Sequence, residues 1–156
     1  MLTTESVMPD LKQYRMFVAG KETYFDSSYQ IKIVDNIIKA SVNEKINIVK
    51  GKTIGANSFY IEQNRLDGAI AMCNNNDKMA WLLKAQKFGV KNIEMETPVM
   101  AAFLNHWGFK NFAAICCVLK NRLKGDQISA TSAQLESYSC NAEKVLWNYL
   151  NKGDSL

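Results

Sequence analysis

Eight consecutive apolar residues, Phe112–Leu119, constrain the fold of this chain more than any other feature. The run is far shorter than the roughly 20 apolar residues that cross a bilayer. Without polar alternation, a stretch of this length reads as a strand buried on both faces. Such a strand needs helices above and below it, and the flanking sequence offers them. Val90–Met95 reads as a second short strand, and Thr97-Pro98 after it is a helix start, a hydroxyl cap followed by proline. That helix runs through Met100, Ala101, Phe103 and Leu104 to Gly108. A preceding helix from Asn76 or Asp77 carries Met79, Leu82, Leu83 and Gln86, and Gly89 sits at its C-terminal stop.

Tyr14–Ala19, Ile46–Val49 and Leu66–Met72 read as further strands, the first ending at Gly20 and the second reaching Gly51. Ser27 or Ser28 is placed to cap a helix whose apolar face is Ile31, Val34, Ile37 and Ile38. A polar loop covers about Lys120–Ala130, and a last amphipathic helix carries Leu135, Tyr138, Val145, Leu146 and Tyr149. Strands alternating with helices define an α/β layered domain, and 156 residues suit a single one.

Composition narrows the function classes. With 47% hydrophobic and 22% charged residues, the chain is neither a membrane protein nor a disordered one. Its net charge of +4 is dispersed. Lys120, Arg122 and Lys124 form the densest basic group, which falls short of a nucleic-acid tract and reads as solvated surface. No charged leader followed by an apolar run stands at the start, so a secretory signal is not expected. Cys73, Cys116, Cys117 and Cys140 lack framework spacing and read as reduced, mostly buried thiols. His106, at a helix end before Gly108, suits the helix dipole better than catalysis. Trp81, Trp107 and Trp147 are expected to pack.

Three segments carry chemistry. In Asn92-Ile93-Glu94-Met95-Glu96-Thr97-Pro98, the two glutamates share one face of a strand at its carboxyl end, beside a helix N-terminus. A carboxylate there can accept hydrogen bonds from a pair of neighbouring hydroxyls; read alone, it would simply complement the helix end. In Phe59-Tyr60-Ile61-Glu62-Gln63-Asn64-Arg65-Leu66-Asp67-Gly68, Gln63 offers a donor and an acceptor, Arg65 a rigid fork of donors and Phe59 a ring face. That set suits a planar heterocycle with carbonyl and N–H edges. Val118-Leu119-Lys120-Asn121-Arg122 takes the buried strand out of the core through basic residues.

In this order, and with Gly89–Glu96 and Asn121-Arg122-Leu123-Lys124-Gly125-Asp126-Gln127-Ile128, these segments resemble uridine phosphorylases of the nucleoside phosphorylase family, most closely those of animal type. The resemblance spans about residues 7–151. It implies a three-layer αβα sandwich with a central mixed sheet, of which residues 1–156 would be the C-terminal half of one domain, with the N-terminal half missing. The implied reaction is phosphorolysis of uridine to uracil and ribose 1-phosphate. Phe59, Gln63 and Arg65 would bind the base. Glu96, with Met95 and Glu94, would bind the ribose, Glu94 mainly by orienting the site. Arg122 would belong to a loop closing over the base, and Arg65, Glu96 and Arg122 would carry catalysis. Where purine-specific relatives place an Asp after Ser, this chain reads Lys120-Asn121-Arg122, which favours a pyrimidine.

Phosphate would be the co-substrate, with no metal or organic cofactor. The family's phosphate loop and arginines belong to its N-terminal half, and no segment here resembles them. The implied partners are uridine, phosphate and further copies of the chain as a homodimer or homo-oligomer, with no nucleic acid or membrane, in the cytoplasm. The alternative is a non-catalytic pseudoenzyme or nucleoside-binding interaction module of the same fold. Two positions depart from the pattern: Glu62 replaces a glycine before Gln63, and Lys120 replaces an apolar pocket residue.

Overall fold

The computed structural model describes residues 1–152. Its sheet has three parallel strands in the order β1 (Leu2–Val7), β4 (Lys50–Gly55) and β5 (Val90–Glu94). Between the first two come a hairpin of β2 (Arg15–Val18) and β3 (Lys21–Tyr24), then helix α1 (Ile31–Ala40). Helices α2 (Asn75–Lys87), α3 (Thr97–His106) and α4 (Ser132–Lys152) complete the chain. Antiparallel bridges Leu2↔Ile115 and Glu5↔Ser28 on the outer side of β1 make the sheet mixed. β5 is the other outer strand.

Helices cover both faces, which is the expected αβα layering. α1 and α4 close over Leu2, with Val34, Ile37 and Val145 buried between them. α2 packs Ala85 on Val7, Ile54 and Val90. The middle of the sheet is held by hydroxyls as well as hydrocarbon. Thr3 and Thr53 are fully buried and share an Oγ1–Oγ1 hydrogen bond of 2.9 Å, and Ser6 Oγ donates to Thr97 Oγ1 at 2.7 Å. Pairing these groups removes the penalty of burying them.

Several local expectations hold. α2 starts from a capping box: the Asn74 side chain accepts from the Asn76 and Asp77 amides, and Asp77 reciprocates. It stops at Gly89, whose φ of 95° suits glycine. The hairpin turn has positive φ at Ala19 (49°) and Gly20 (76°), the geometry that matches strand twist.

Other expectations fail. Ile46–Val49 forms no strand; the strand is the next segment, Lys50–Gly55, because that is where pairing with β1 and β5 occurs. Leu66–Met72 is irregular and largely exposed. Phe112–Leu119 is not buried on both faces: it lies beside the start of β1, with Thr3 N–H donating to Ala114 O and Cys116 N–H to Met1 O, and Val118 and Leu119 stay exposed. Neither Ser27 nor Ser28 caps α1, whose N-cap is Gln30 without a side-chain bond; Ser27 Oγ instead donates to Ser6 O. Trp81 packs and donates to Pro9 O, but Trp107 and Trp147 are two-thirds exposed, since no described element covers them. All four cysteines are free, three half-buried and Cys140 exposed. No helix among the described residues is long and apolar enough to cross a membrane.

Candidate functional site

Strands β4 and β5 end side by side, with Gly55 paired to Glu94. β4 leads into an irregular loop through residue 68, and β5 turns directly into α3. α3 begins so close to β4 that a Cβ on Gly55 would lie 2.1 Å from Pro98 Cδ, so this glycine is what lets the helix N-terminus sit against the strand end. In a parallel sheet, the carboxyl ends of strands are where ligands bind.

A cavity of about 720 Å³ opens there, and Phe59, Gln63, Arg65, Glu94, Met95, Glu96 and Arg122 all line it. Residues separated by up to 63 positions in sequence are therefore brought to one hollow of nucleoside size.

Gln63 is 4% exposed, and among the described residues its side-chain amide has no hydrogen-bond partner. An amide with no partner in the wall of a cavity leaves a donor and an acceptor for a ligand. Its backbone carbonyl accepts from Arg122 Nη2 at 2.8 Å. Arg65 is fixed by Asp67, through Nε–Oδ1 at 2.9 Å and Nη2–Oδ2 at 2.6 Å, and by Asp126 O at 3.0 Å. The paired guanidinium holds the Asp67 carboxyl below the usual carboxylate range. Arg65 also lies 4.4 Å over the Phe59 ring, so one face of that ring carries the cation and only the remainder is open to a ligand.

Asp126 was not singled out from the sequence, yet it organises this wall. Its Oδ1 accepts from Arg122 Nε at 2.7 Å, and its Oδ2 accepts from Lys78 Nζ at 2.8 Å and Leu66 N–H at 3.1 Å. Burial pushes its pKa up, but those three donors outweigh it and hold the carboxyl at about 2. Arg65, Arg122 and Lys78 against Asp67 and Asp126 leave one excess positive charge (three minus two) beside the cavity. That excess favours an electron-rich ligand edge. Arg122, expected on a solvated surface when read from charge alone, is only 11% exposed at its side chain.

Across the cavity the two glutamates divide their work. β5 ends at Glu94 and Glu96 is already the N-cap of α3, so they do not share a strand face. Glu94 supplies the cap assigned from sequence to the Thr97 hydroxyl: Oε2 accepts from the Glu96 and Thr97 amides at 2.7 and 2.9 Å, and Oε1 from Thr97 Oγ1 at 2.6 Å. Its oxygens are occupied by the helix start, a positioning task. The Glu96 carboxylate is exposed and unpaired among the described residues, beside the 37%-exposed Met95. Of the two departures from the family pattern, Glu62 turns its carboxylate onto Asn57 and does not line the cavity, whereas Lys120 does. His106 is exposed in the last turn of α3, against Phe25 and Trp107, outside the cavity.

Residues 6–151 match the Phosphorylase superfamily, and the chain belongs to that family. Within it, the chain is similar to uridine phosphorylases. It is 31% identical over 152 residues to the uridine and thymidine phosphorylase of Caenorhabditis elegans, covering 97% of this chain and 51% of that protein. It is 30% identical to mouse uridine phosphorylase 1, covering 90% and 45%. The crystal structure of Schistosoma mansoni uridine phosphorylase in complex with uracil superposes with a TM-score of 0.90 at 27% identity, covering 99% of this chain and 54% of that one. The chain thus spans about half the length of the relatives it matches.

Proposed function

We propose that the cavity is the nucleoside site of a uridine phosphorylase, and that residues 1–156 act as one partial phosphorylase domain. The observation that carries this reading is that Gln63, whose side-chain amide makes no hydrogen bond among the described residues, lines the same cavity as Glu96, whose carboxylate is likewise unpaired among them. Gln63 and Arg65 bind the uracil edge, and the open part of the Phe59 ring packs on the base. Glu96 accepts from the ribose diol, Met95 lies against the sugar and Glu94 holds Glu96 in place. Arg122 closes the base side.

In phosphorolysis a phosphate oxygen bonds to the anomeric carbon as the glycosidic C–N bond breaks, and the bonding pair passes to the uracil ring. Arg65 and the excess positive charge around it stabilise that growing negative charge without reorganising. Phosphate is itself the nucleophile, so the reaction needs no metal or organic cofactor. Its contacts come from polypeptide other than these residues. Exposed Phe103 on α3, Trp107 just after it, and Trp147 and Leu150 on α4 support assembly into a homodimer or larger homo-oligomer. Four free cysteines suit the cytoplasm.

The test is uridine binding by calorimetry, with uracil release followed by chromatography with and without phosphate. Binding that weakens in Gln63→Leu supports the reading, and phosphate-dependent release establishes turnover. Binding without release by the assembled protein means a non-catalytic module. No binding of uridine or uracil overturns the reading.

A further inference from the structure

We propose that Asp126 and Lys78 are positioning residues that lock the two loops of the nucleoside site into one rigid unit. The proposal rests on the nucleoside-site reading of the cavity. Neither side chain lines the cavity, so neither touches a ligand. Both are buried, at 7% and 5% exposure, and they pair at 2.8 Å across 48 residues of sequence.

The segments they join have little structure of their own. The loop after β4 is held by turn bonds such as Asn64 N–H to Ile61 O and Arg65 N–H to Tyr60 O. Residues 120–128 contain only a single 3₁₀ turn, Arg122–Lys124. Asp126 fixes the two arginines of the cavity wall. It orients Arg122 through Nε, receives Arg65 on its backbone carbonyl and takes the Leu66 amide between them. Arg122, so oriented, reaches the Gln63 carbonyl. Lys78 anchors the whole set to α2, a rigid element. A buried lysine needs a carboxylate, and this one is shared with the site. Misplacing reacting groups by about 1 Å can cost on the order of 100-fold, so this second layer decides how well the first works.

The experiment uses the full chain with Asp126→Ala, Lys78→Met and the double variant, reading backbone hydrogen exchange in the free protein and uracil affinity by calorimetry. Asp126→Ala leaves Lys78 and Arg122 without their carboxylate. Exchange should rise about tenfold or more at Leu66 and across 121–127 together, and uracil affinity should fall about 10–100-fold. The double variant removes the buried lysine charge along with its carboxylate and should recover stability while uracil affinity stays low. It also keeps the comparison possible where Asp126→Ala does not fold. Unchanged exchange in the folded variants, or uracil affinity that returns with stability in the double variant, overturns the proposal. A wild-type chain that binds no uracil overturns the nucleoside reading instead, and hydrogen exchange still decides whether Asp126 joins the loops.

Discussion

Replacing Glu94 by alanine removes the acceptor of three hydrogen bonds at the start of α3. Two of the donors are the amides of the N-cap Glu96 and of Thr97, the first residue of the helix, and loss of a capping acceptor costs about 1 kcal/mol. The third is the hydroxyl of Thr97, a residue only 5% exposed, and a buried donor left without its acceptor costs about 1–3 kcal/mol. The expected loss is therefore about 2–4 kcal/mol, a large part of the 5–15 kcal/mol that typically separates folded from unfolded states. At about 2–4 °C per kcal/mol for a chain of this size, the melting temperature should drop by about 4–16 °C. Urea unfolding followed by circular dichroism measures it. Glu94→Gln, which keeps one carbonyl acceptor, should fall between the two. Because the Glu96 amide is one of the lost donors, uridine affinity should weaken as well. An alanine variant within about 0.5 kcal/mol of the parent, typical of an unimportant surface substitution, refutes this account of the helix start.

Gln63→Leu should leave stability little changed, because the amide makes no hydrogen bond within the described residues, while uridine affinity measured by calorimetry falls about 10–100-fold. Asp126 has its pKa lowered from 3.8 to about 2, so the stability it contributes is present above about pH 4 and lost as pH falls towards 2. Urea midpoints across that window should drop more steeply for the parent than for Asp126→Ala/Lys78→Met. Gly55→Ala would set a methyl against the Pro98 ring and should cost about 1–3 kcal/mol, with α3 displaced and uridine binding weakened, both readable by unfolding and calorimetry.

The helices were legible because their signals are local. The Asn74–Asp77 capping box, Gly89 after α2 and the apolar face of α1 act within a turn or two of chain. The strands were legible only in part: Tyr14–Ala19 and Val90–Met95 became β2 and β5, but the other two strands of the main sheet were missed, because a strand is defined by its partner. β1 went unseen: Thr3 and Ser6 look like surface residues until Thr53 and Thr97 meet their hydroxyls. Lys50–Gly55 is central yet polar in sequence, while the more apolar Ile46–Val49 beside it only packs against the α1–α4 core.

The candidate site divides along the same line. Residue chemistry alone showed what the amide of Gln63, the guanidinium of Arg65 and the carboxylate of Glu96 could bind, but it was the family resemblance that singled them out, and Arg122 with them, from ordinary surface residues. Sequence could not say which glutamate faces a ligand and which holds the helix, nor that Asp126 and Lys78 tie the loops together. The glutamates are sorted by where β5 stops and α3 begins, which sets Glu94 against the Glu96 and Thr97 amides. The Asp126–Lys78 tie depends on contacts across 48 to 61 residues of chain, set only when the loops fold together. Local preferences act through neighbours in the chain; hydrogen bonds across the fold exist only once the backbone has brought their partners within 3 Å or so.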